Sequence, residues 1–324
     1  MRGRLGSLAD PRHFQLAMLG GLFVYGQLAL DFGVPLPVWV PTLLVALATQ
    51  ALLARSIDGA PFEPRSALIS GLSLCLLLRS EVSWLVPLAA FVAIASKFLL
   101  RWNGKHVWNP TAFAIVVMLV GSNLGAWPAS WVSPGQWGST ATGVFVLAGL
   151  GSLVVFRAER SDVTWAFLAA TAALVFGRAL LLGDPLRIPL HQLSGGALWI
   201  FAFFMISDPR TTPASRRGRI AFAVAVAAAA AWGRFVLWEP TSLFYALVGM
   251  TPLVVALDRW FPGASYEWPA SRRVEAAPEL QPAAAPQFEP VPIADPESHE
   301  GDPIHVPASP RLDPGRPALW GDAR

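Results

Sequence analysis

Charged residues are scarce in this 324-residue sequence, at 14% of the total. Soluble domains carry about 25%, and the shortage is concentrated in residues 14–258, which form a series of apolar blocks. This pattern excludes an ordinary soluble domain and predicts an integral membrane domain over residues 14–261, after a cytoplasmic segment, 1–13. Residues 270–324 lack aliphatic runs and contain 11 prolines. A disordered tail rich in proline and alanine is therefore predicted over 262–324.

Cysteine is nearly absent as well, with Cys75 as the single example. One thiol makes no internal disulfide, zinc site or iron–sulfur cluster, and within an apolar block it is typical of a small buried side chain. The sequence also lacks a Walker loop, a nucleophile elbow and an HExxH pair. No basic stripe with interleaved aromatic residues lies outside the membrane loops, so nucleic acid is excluded as a partner. The residues indicate no soluble-enzyme chemistry, and whether the chain belongs to an enzyme stays open.

Ten apolar segments are present, and their natural partner is the lipid bilayer. A full crossing needs about 20 residues, whereas the third and eighth segments are short and cover only about 20 Å of a core about 30 Å thick. Both follow polar stretches that contain proline, so we interpret them as half-helices completed by extended backbone. The ten segments are residues 14–31, 38–54, 66–78, 84–100, 110–127, 139–156, 162–183, 194–207, 218–237 and 240–258.

The basic residues fall mainly into the loops on one side of these segments. By the positive-inside rule that side is cytoplasmic, which places both termini of a multi-pass protein in the cytoplasm of a bacterium and its body in the inner membrane. The loops on the other side carry Arg79 and Arg187. The cytoplasmic set is Arg2, Arg4, Arg12, Arg55, Arg65, Arg101, Lys105, Arg157, Arg160, Arg210, Arg216, Arg217, Arg219 and Arg259.

A short motif, Trp-x-Pro-Thr, occurs twice, at Trp108–Thr111 and at Trp238–Thr241. It precedes the fifth and the tenth apolar segment. Proline in the first helical turn loses no hydrogen bond, and the residue before it, Asn109 or Glu239, can cap free N–H groups. The motif therefore indicates the same kind of helix start in two halves of the chain.

A second pair of matching positions supports an internal repeat. Ser80-Glu81 follows the third segment and Ser207-Asp208 follows the eighth. Five segments per half reverse the direction of the second half, so matching motifs lie on opposite membrane faces, as in inverted-repeat transporters. The sequence thus predicts an all-α membrane protein with ten transmembrane segments in a five-plus-five inverted repeat. Repeat one is about 14–127 and repeat two about 139–258.

Half-helices in matching positions favour an ion or solute path, or a cofactor site, at the repeat interface. Asp208 either caps the break in the chain or lines a cytoplasmic entrance for a cation, or it hydrogen-bonds a flavin. Phe204 either gates a narrow path or packs in the core. Lys97 is near enough to the end of its segment to reach the cytoplasmic interface. The candidate residues of this path are Glu81, Asn109, Thr111, Phe204 and Asp208.

Two stretches of the chain resemble the RnfD/NqrB family. "GKHVWNPTAFAIV" (104–116) is similar to the start of that family's fifth helix, where a basic residue and Asn-Pro-x-x-Phe recur. "GALWIFAFFMISDPRTTPASRRGR" (196–219) is similar to its eighth segment, with an aromatic pair, Asp-Pro and a downstream Gly-Arg. The resemblance covers roughly residues 14–258. It implies a ten-helix inverted repeat in a membrane subunit of an ion-translocating, flavin-carrying electron-transport complex, with the other subunits of such a complex as partners.

The resemblance also implies a cofactor, FMN, joined by a phosphoester to a threonine in Ser-Gly-Ala-Thr before the sixth helix, and possible riboflavin. This chain has "WGSTATG" there, which makes Thr142 the acceptor, next to Ser139 and Thr140. Thr140 replaces the glycine of the family's pattern. Because glycine leaves the backbone open and Thr140 is β-branched and stiff, this departure bears directly on flavin attachment at Thr142.

Three functions remain open from the sequence. The first is a subunit that holds flavin and couples electron transfer to ion transport. The second is a passive small-solute channel of the urea-transporter type, and the third is a stand-alone protein of a biosynthetic cluster of the enediyne type. Fold alone does not choose among them, because function depends on the site.

Overall fold

The computed structural model describes residues 10–59, 62–102, 105–133, 140–264 and 266 of the chain, and these residues are mostly helical. The predicted tail lies outside the described residues beyond position 266, as does Ser139. The first half contains helices α1 (Pro11–Ala29), α2 (Leu36–Leu53), α3 (Pro64–Leu77), α4 (Leu85–Leu99) and α5 (Pro110–Asn123). Its strands are β1 (Leu78–Ser80), β2 (Arg101–Trp102), β3 (Lys105–His106) and β4 (Ser130–Val132).

The second half contains only helices among the described residues. They are α6 (Thr140–Arg157), α7 (Ser161–Leu182), α8 (Arg187–Leu193), α9 (Gly196–Phe204), α10 (Arg216–Phe235), α11 (Ser242–Met250) and α12 (Leu253–Trp260).

Helix starts follow ordinary capping chemistry. Asp10 caps α1 by accepting the Arg12 N–H at 3.0 Å, and Asn109 caps α5 by accepting the Ala112 N–H at 3.0 Å. In both helices a proline occupies the first turn, where its missing N–H costs nothing. The predicted role of Asn109 as a helix cap is therefore confirmed.

Three helical stretches are long and apolar enough to cross a membrane: Leu36–Asp58, Ser161–Leu182 and Arg216–Phe235. The bent pair α11 and α12 makes a fourth if it counts as one span. Helices α3, α4 and α5 are apolar but shorter, with 14, 15 and 14 residues. The described chain thus has the helices of a multi-pass membrane protein.

The end of α3 continues as extended backbone. Strand β1 pairs antiparallel with β4, with Leu78 opposite Val132 and Ser80 opposite Ser130. The short third segment was expected to be completed in this way, because 14 helical residues span only about 21 Å.

The eighth segment is shorter than the sequence indicates. Residues 194–207 were predicted as one half-helix, but α9 comprises only the nine residues Gly196–Phe204, and a separate helix, α8, precedes it. Ser194 ends α8 by donating its hydroxyl to the His191 carbonyl at 2.7 Å. Side-chain bonds of this kind compete with the helical backbone, and they explain the interruption.

The tenth segment, predicted as continuous from 240 to 258, is broken. Helix α11 begins at Ser242, not at Pro240, and a 51° bend separates α11 from α12. Pro252 has no N–H to give the Val248 carbonyl four residues earlier. The Trp108 indole donates to that carbonyl at 2.9 Å instead, so the first Trp-x-Pro-Thr motif satisfies the break that follows the second.

The middle of α9 lies in the packed core. Ile200, Phe201 and Ala202 are completely buried. The Phe201 ring lies 5.2 Å from Phe167 and 5.7 Å from Phe244, within the range of favourable aromatic contacts. Helix α9 is consequently surrounded by side chains at its centre, and open space lies only at its two ends.

Candidate functional site at the carboxyl end of helix α9

The chain turns sharply after α9 and brings Asp208 under the helix end. The Asp208 carboxylate accepts the Arg210 N–H at 3.0 Å. Its other oxygen lies 3.6 Å from the His106 Nε2 and 3.4 Å from the Asn109 Nδ2. Burial by itself would raise the pKa of Asp208, but the hydrogen bond and charge of His106 outweigh it and lower the pKa below the usual value. Asp208 therefore carries a negative charge in a nearly enclosed position.

Asn109 joins the fifth and eighth segments at this point. Its carbonyl oxygen caps α5, while its amide group donates to the Met205 carbonyl and to Asp208, each at 3.4 Å. Both ends of one buried side chain are thereby used. The motif that the sequence singled out as a helix start is also a clamp on the end of α9.

Lys97 does not reach the aqueous interface, contrary to the expectation from the sequence. Its side chain turns inward from α4, is only 9% exposed, and donates to the Gln50 Oε1 at 2.8 Å and to the Ser66 Oγ at 2.9 Å. No carboxylate of the described residues lies within 4.0 Å of the ammonium group. A buried cation held by neutral oxygens in a membrane segment is a functional-site hypothesis in itself.

These groups line one cavity of about 290 Å³, which we call the carboxyl-end cavity. Lys97 and Asp208 give it one charge of each sign, and His106 adds a titratable ring. Other polar lining groups come from α2 and α3, and Phe204 forms part of the apolar wall. The residues used below are Gln50, Ser66, Lys97, His106, Phe204 and Asp208.

The rim of this cavity carries further ion pairs. Asp10 is bonded by Arg12 at 2.6 Å and by Arg65 at 3.0 Å. Arg101 pairs with Asp58 at 2.7 Å. Burial alone raises the pKa of Asp10, but the hydrogen bonds and charges of Arg12, together with the charge of Arg65, lower it. The charges around the opening are therefore mostly matched in pairs.

The structure brings together three of the predicted path residues, Asn109, Phe204 and Asp208. Thr111 is buried in the first turn of α5 and does not line the cavity. Glu81 lies elsewhere, exposed after β1, with its N–H bonded to the Ala129 carbonyl at 3.1 Å.

The flavin candidates are placed only in part. Thr140 and Thr142 lie in the first turn of α6, and Ser139 is outside the described residues. The sequence reasoning missed the cluster of Lys97, Gln50 and Ser66. A lysine within an apolar block was the available signal, and it was interpreted as reaching the interface.

A second cavity, of about 540 Å³, lies at the other end of α9 and is called the amino-end cavity. Ser194, Gly195 and Leu198 line it at the start of the helix. The fully buried centre of α9 lines neither cavity. The described residues thus show two separate spaces along one short helix.

Known proteins match this arrangement of segments. The model of the NQR2, RnfD, RnfE family matches residues 127–267, a range that includes α9, Asp208 and both ends of the site. This chain belongs to that family. A relative from Pseudomonas paraeruginosa, the D subunit of an ion-translocating oxidoreductase complex, is 26% identical over 278 residues, which cover 66% of this chain and 79% of the relative.

A second relative within the NQR2, RnfD, RnfE family comes from Clostridium ljungdahlii. It is the D subunit of a proton-translocating ferredoxin:NAD(+) oxidoreductase complex, 23% identical over 306 residues, which cover 75% of this chain and 86% of the relative. The chain is thus a distant homologue of the RnfD component of Rnf complexes. Homologues that are named as subunits imply other subunits as partners, and family members can carry covalent FMN.

Proposed function

We propose that this chain is the membrane subunit of an Rnf-type electron-transport complex and couples electron transfer to ion movement. In this proposal it crosses the bacterial inner membrane ten times as a five-plus-five inverted repeat, with both termini cytoplasmic. The observation that carries the proposal is the carboxyl-end cavity, where Asp208 and Lys97 place opposite charges beside one helix end. Such charges inside a membrane protein mark ion pathways.

Asp208 is the proposed contact for the ion. Its carboxylate is held by Asn109 and His106, and its lowered pKa keeps it ionised, as a cation site requires. Lys97 adds a fixed positive charge on the opposite wall, which disfavours permanent occupation by a cation. Asn109 positions the carboxylate, and Phe204 forms the inner wall.

The packed centre of α9 supports coupled transport over a passive channel. Ile200, Phe201 and Ala202 leave no accessible surface between the two cavities. An ion that enters at the carboxyl end therefore needs a conformational change to proceed, as alternating access requires. A urea-type channel would need a continuous path at this position.

The residues present fit covalent FMN at Thr142. Thr140 belongs to helix α6, and a right-handed helical backbone is accessible to any L-residue, so the missing glycine is no obstacle. A phosphoester on Thr142 would lie in the first turn of α6, where free N–H groups stabilise phosphate. When bound, FMN supplies one- and two-electron redox chemistry. Thr142 would hold it through its hydroxyl, with Ser139 and Thr140 beside it; riboflavin is a second candidate cofactor.

The ion role is tested with Asp208→Asn in membranes that contain the complete complex. We expect electron-driven ion uptake into vesicles to fall at least tenfold, because a neutral amide does not replace the carboxylate as a cation ligand. Asp184→Asn, which removes a carboxylate paired with Arg178 at 3.3 Å away from α9, is the matched control. Full ion uptake by Asp208→Asn would remove Asp208 from the path.

Flavin attachment is tested separately, by denaturing gel electrophoresis of the chain produced together with a flavin transferase. A fluorescent band that survives denaturation is expected in the unmodified chain and in Thr140→Val, and its loss is expected in Thr142→Val. Absence of a band in the unmodified chain would exclude covalent FMN and leave the ion role untouched.

A further inference from the structure

Two buried polar atoms have no hydrogen-bond partner in the described part of the chain, and both face the amino-end cavity. They are the hydroxyl oxygen of Thr171, on α7, and the side-chain carbonyl oxygen of Gln192, on α8. Buried polar groups in native proteins are almost always bonded, because an unpaired one costs free energy. Two exceptions in the same cavity indicate that a bound molecule supplies the partners.

The rest of the cavity suits a flat apolar body. Its buried walls come from Val175 on α7, Leu198 on α9 and Phe244 on α11. Ala227 and Ala230 on α10 present only methyl groups, and these small side chains leave the space open. A volume of about 540 Å³ accommodates two or three fused rings.

The two unpaired atoms define the polar edge of the ligand. The Gln192 oxygen only accepts, so the ligand must bring an N–H or O–H donor; the Thr171 hydroxyl can donate to a carbonyl. No carboxylate occurs among the described residues that line the cavity, so a cation would lack a counter-charge there. A quinone offers acceptors only and leaves Gln192 unpaired.

We infer that the amino-end cavity binds an uncharged planar heterocycle with a cyclic amide edge, in which an N–H stands beside a carbonyl. The N–H pairs with Gln192, the carbonyl with Thr171, and the rings fill the space beside the alanines of α10. Purine-dione and flavin-type rings share this edge. This inference stands on the cavity alone and does not depend on ion transport or on Thr142.

The test measures binding to the full chain, purified in detergent micelles. The probes are uracil, xanthine and lumichrome, which have one, two and three rings with the same edge, and menadione as a ring with acceptors only. We expect xanthine or lumichrome to bind, with the tighter of the two identifying the source, and menadione to bind much more weakly. Thr171→Val and Gln192→Leu should each weaken binding roughly fivefold, the effect of one lost hydrogen bond.

A stability measurement separates a ligand site from a structural one. Without ligand, Thr171→Val removes an unpaired polar atom, so its melting temperature should equal or exceed that of the unmodified chain. Thr251→Val is the matched control, since the Thr251 hydroxyl is bonded to the Leu247 carbonyl at 2.7 Å and its loss should lower the melting temperature. The inference is overturned if no cyclic-amide probe binds, if menadione binds as tightly, or if Thr171→Val leaves binding unchanged or destabilises the free chain.

Discussion

The two ends of helix α9 differ in how their polar groups are satisfied. At the carboxyl end, Asp208, Asn109 and Lys97 are each bonded within the protein, and the rim carries matched ion pairs. At the amino end, a larger cavity keeps Thr171 and Gln192 with unpaired atoms. A cavity whose charges are already positioned suits transient passage of an ion, whereas unpaired atoms between apolar walls suit a resident ligand.

The largest expected effect concerns the matched charges at the carboxyl end. Asp10→Ala removes the cap of α1 and leaves Arg12 and Arg65 without this carboxylate. Breaking a buried pair in this way costs about 3 kcal/mol or more, so the free energy of unfolding in mixed micelles should fall by that amount. Asp10→Asn keeps a cap and should lose less. Equal stability of Asp10→Ala and the unmodified chain would show that this rim is not held by its charges.

The same charges predict a pH dependence at one end only. The pKa values of Asp10 and Asp208 are lowered in the folded chain, so their contribution is complete above the unfolded pKa, about 3.9. It is lost as the pH falls through the folded values. Thermal unfolding followed from pH 6 to pH 3 should show a falling melting temperature, with a flatter profile for Asp10→Asn. Identical profiles would contradict this assignment.

The barrier between the ends is tested by Gly151→Ala, on α6. A Cβ at Gly151 would lie 2.5 Å from the Phe203 ring, so the ring must move, at a cost of about 1–3 kcal/mol. Gly149→Ala on the same helix meets nothing within 4 Å and should stabilise by about 0.5 kcal/mol. The free energies of unfolding of the two variants should therefore change in opposite directions, and a shift of the same sign would mean that Phe203 is not tightly packed.

The smallest effect concerns the contact between the two Trp-x-Pro-Thr regions. Trp108→Phe removes the donor to the Val248 carbonyl and should cost about 1 kcal/mol. Pro252→Ala restores a backbone N–H that can reach the same carbonyl. In a double-mutant cycle on the free energy of unfolding, Trp108→Phe should cost less in the Pro252→Ala background. Strict additivity would show that Trp108 does not compensate for the bend.

Sequence reasoning was most successful where local chemistry decides. The membrane character, the start of α5 at Pro110 and the capping role of Asn109 follow from composition and from residues adjacent in the chain, because burial in lipid and helix capping act locally. The family resemblance followed from the motifs around Asn109 and Asp208, which the structure places side by side. The ten-segment inverted repeat remains a prediction.

What only the tertiary structure decided are the partners of distant residues. Lys97 was expected at the interface, but Gln50 and Ser66, 47 and 31 positions away, hold it inside. The bend at Pro252 is compatible with the sequence, yet the indole that satisfies it comes from 140 positions earlier. No local pattern shows that Thr171 and Gln192 face the same space. The sequence by itself determined which segments are apolar and how helices begin, since these depend on neighbouring residues; packing decided which polar atoms meet and which stay unpaired.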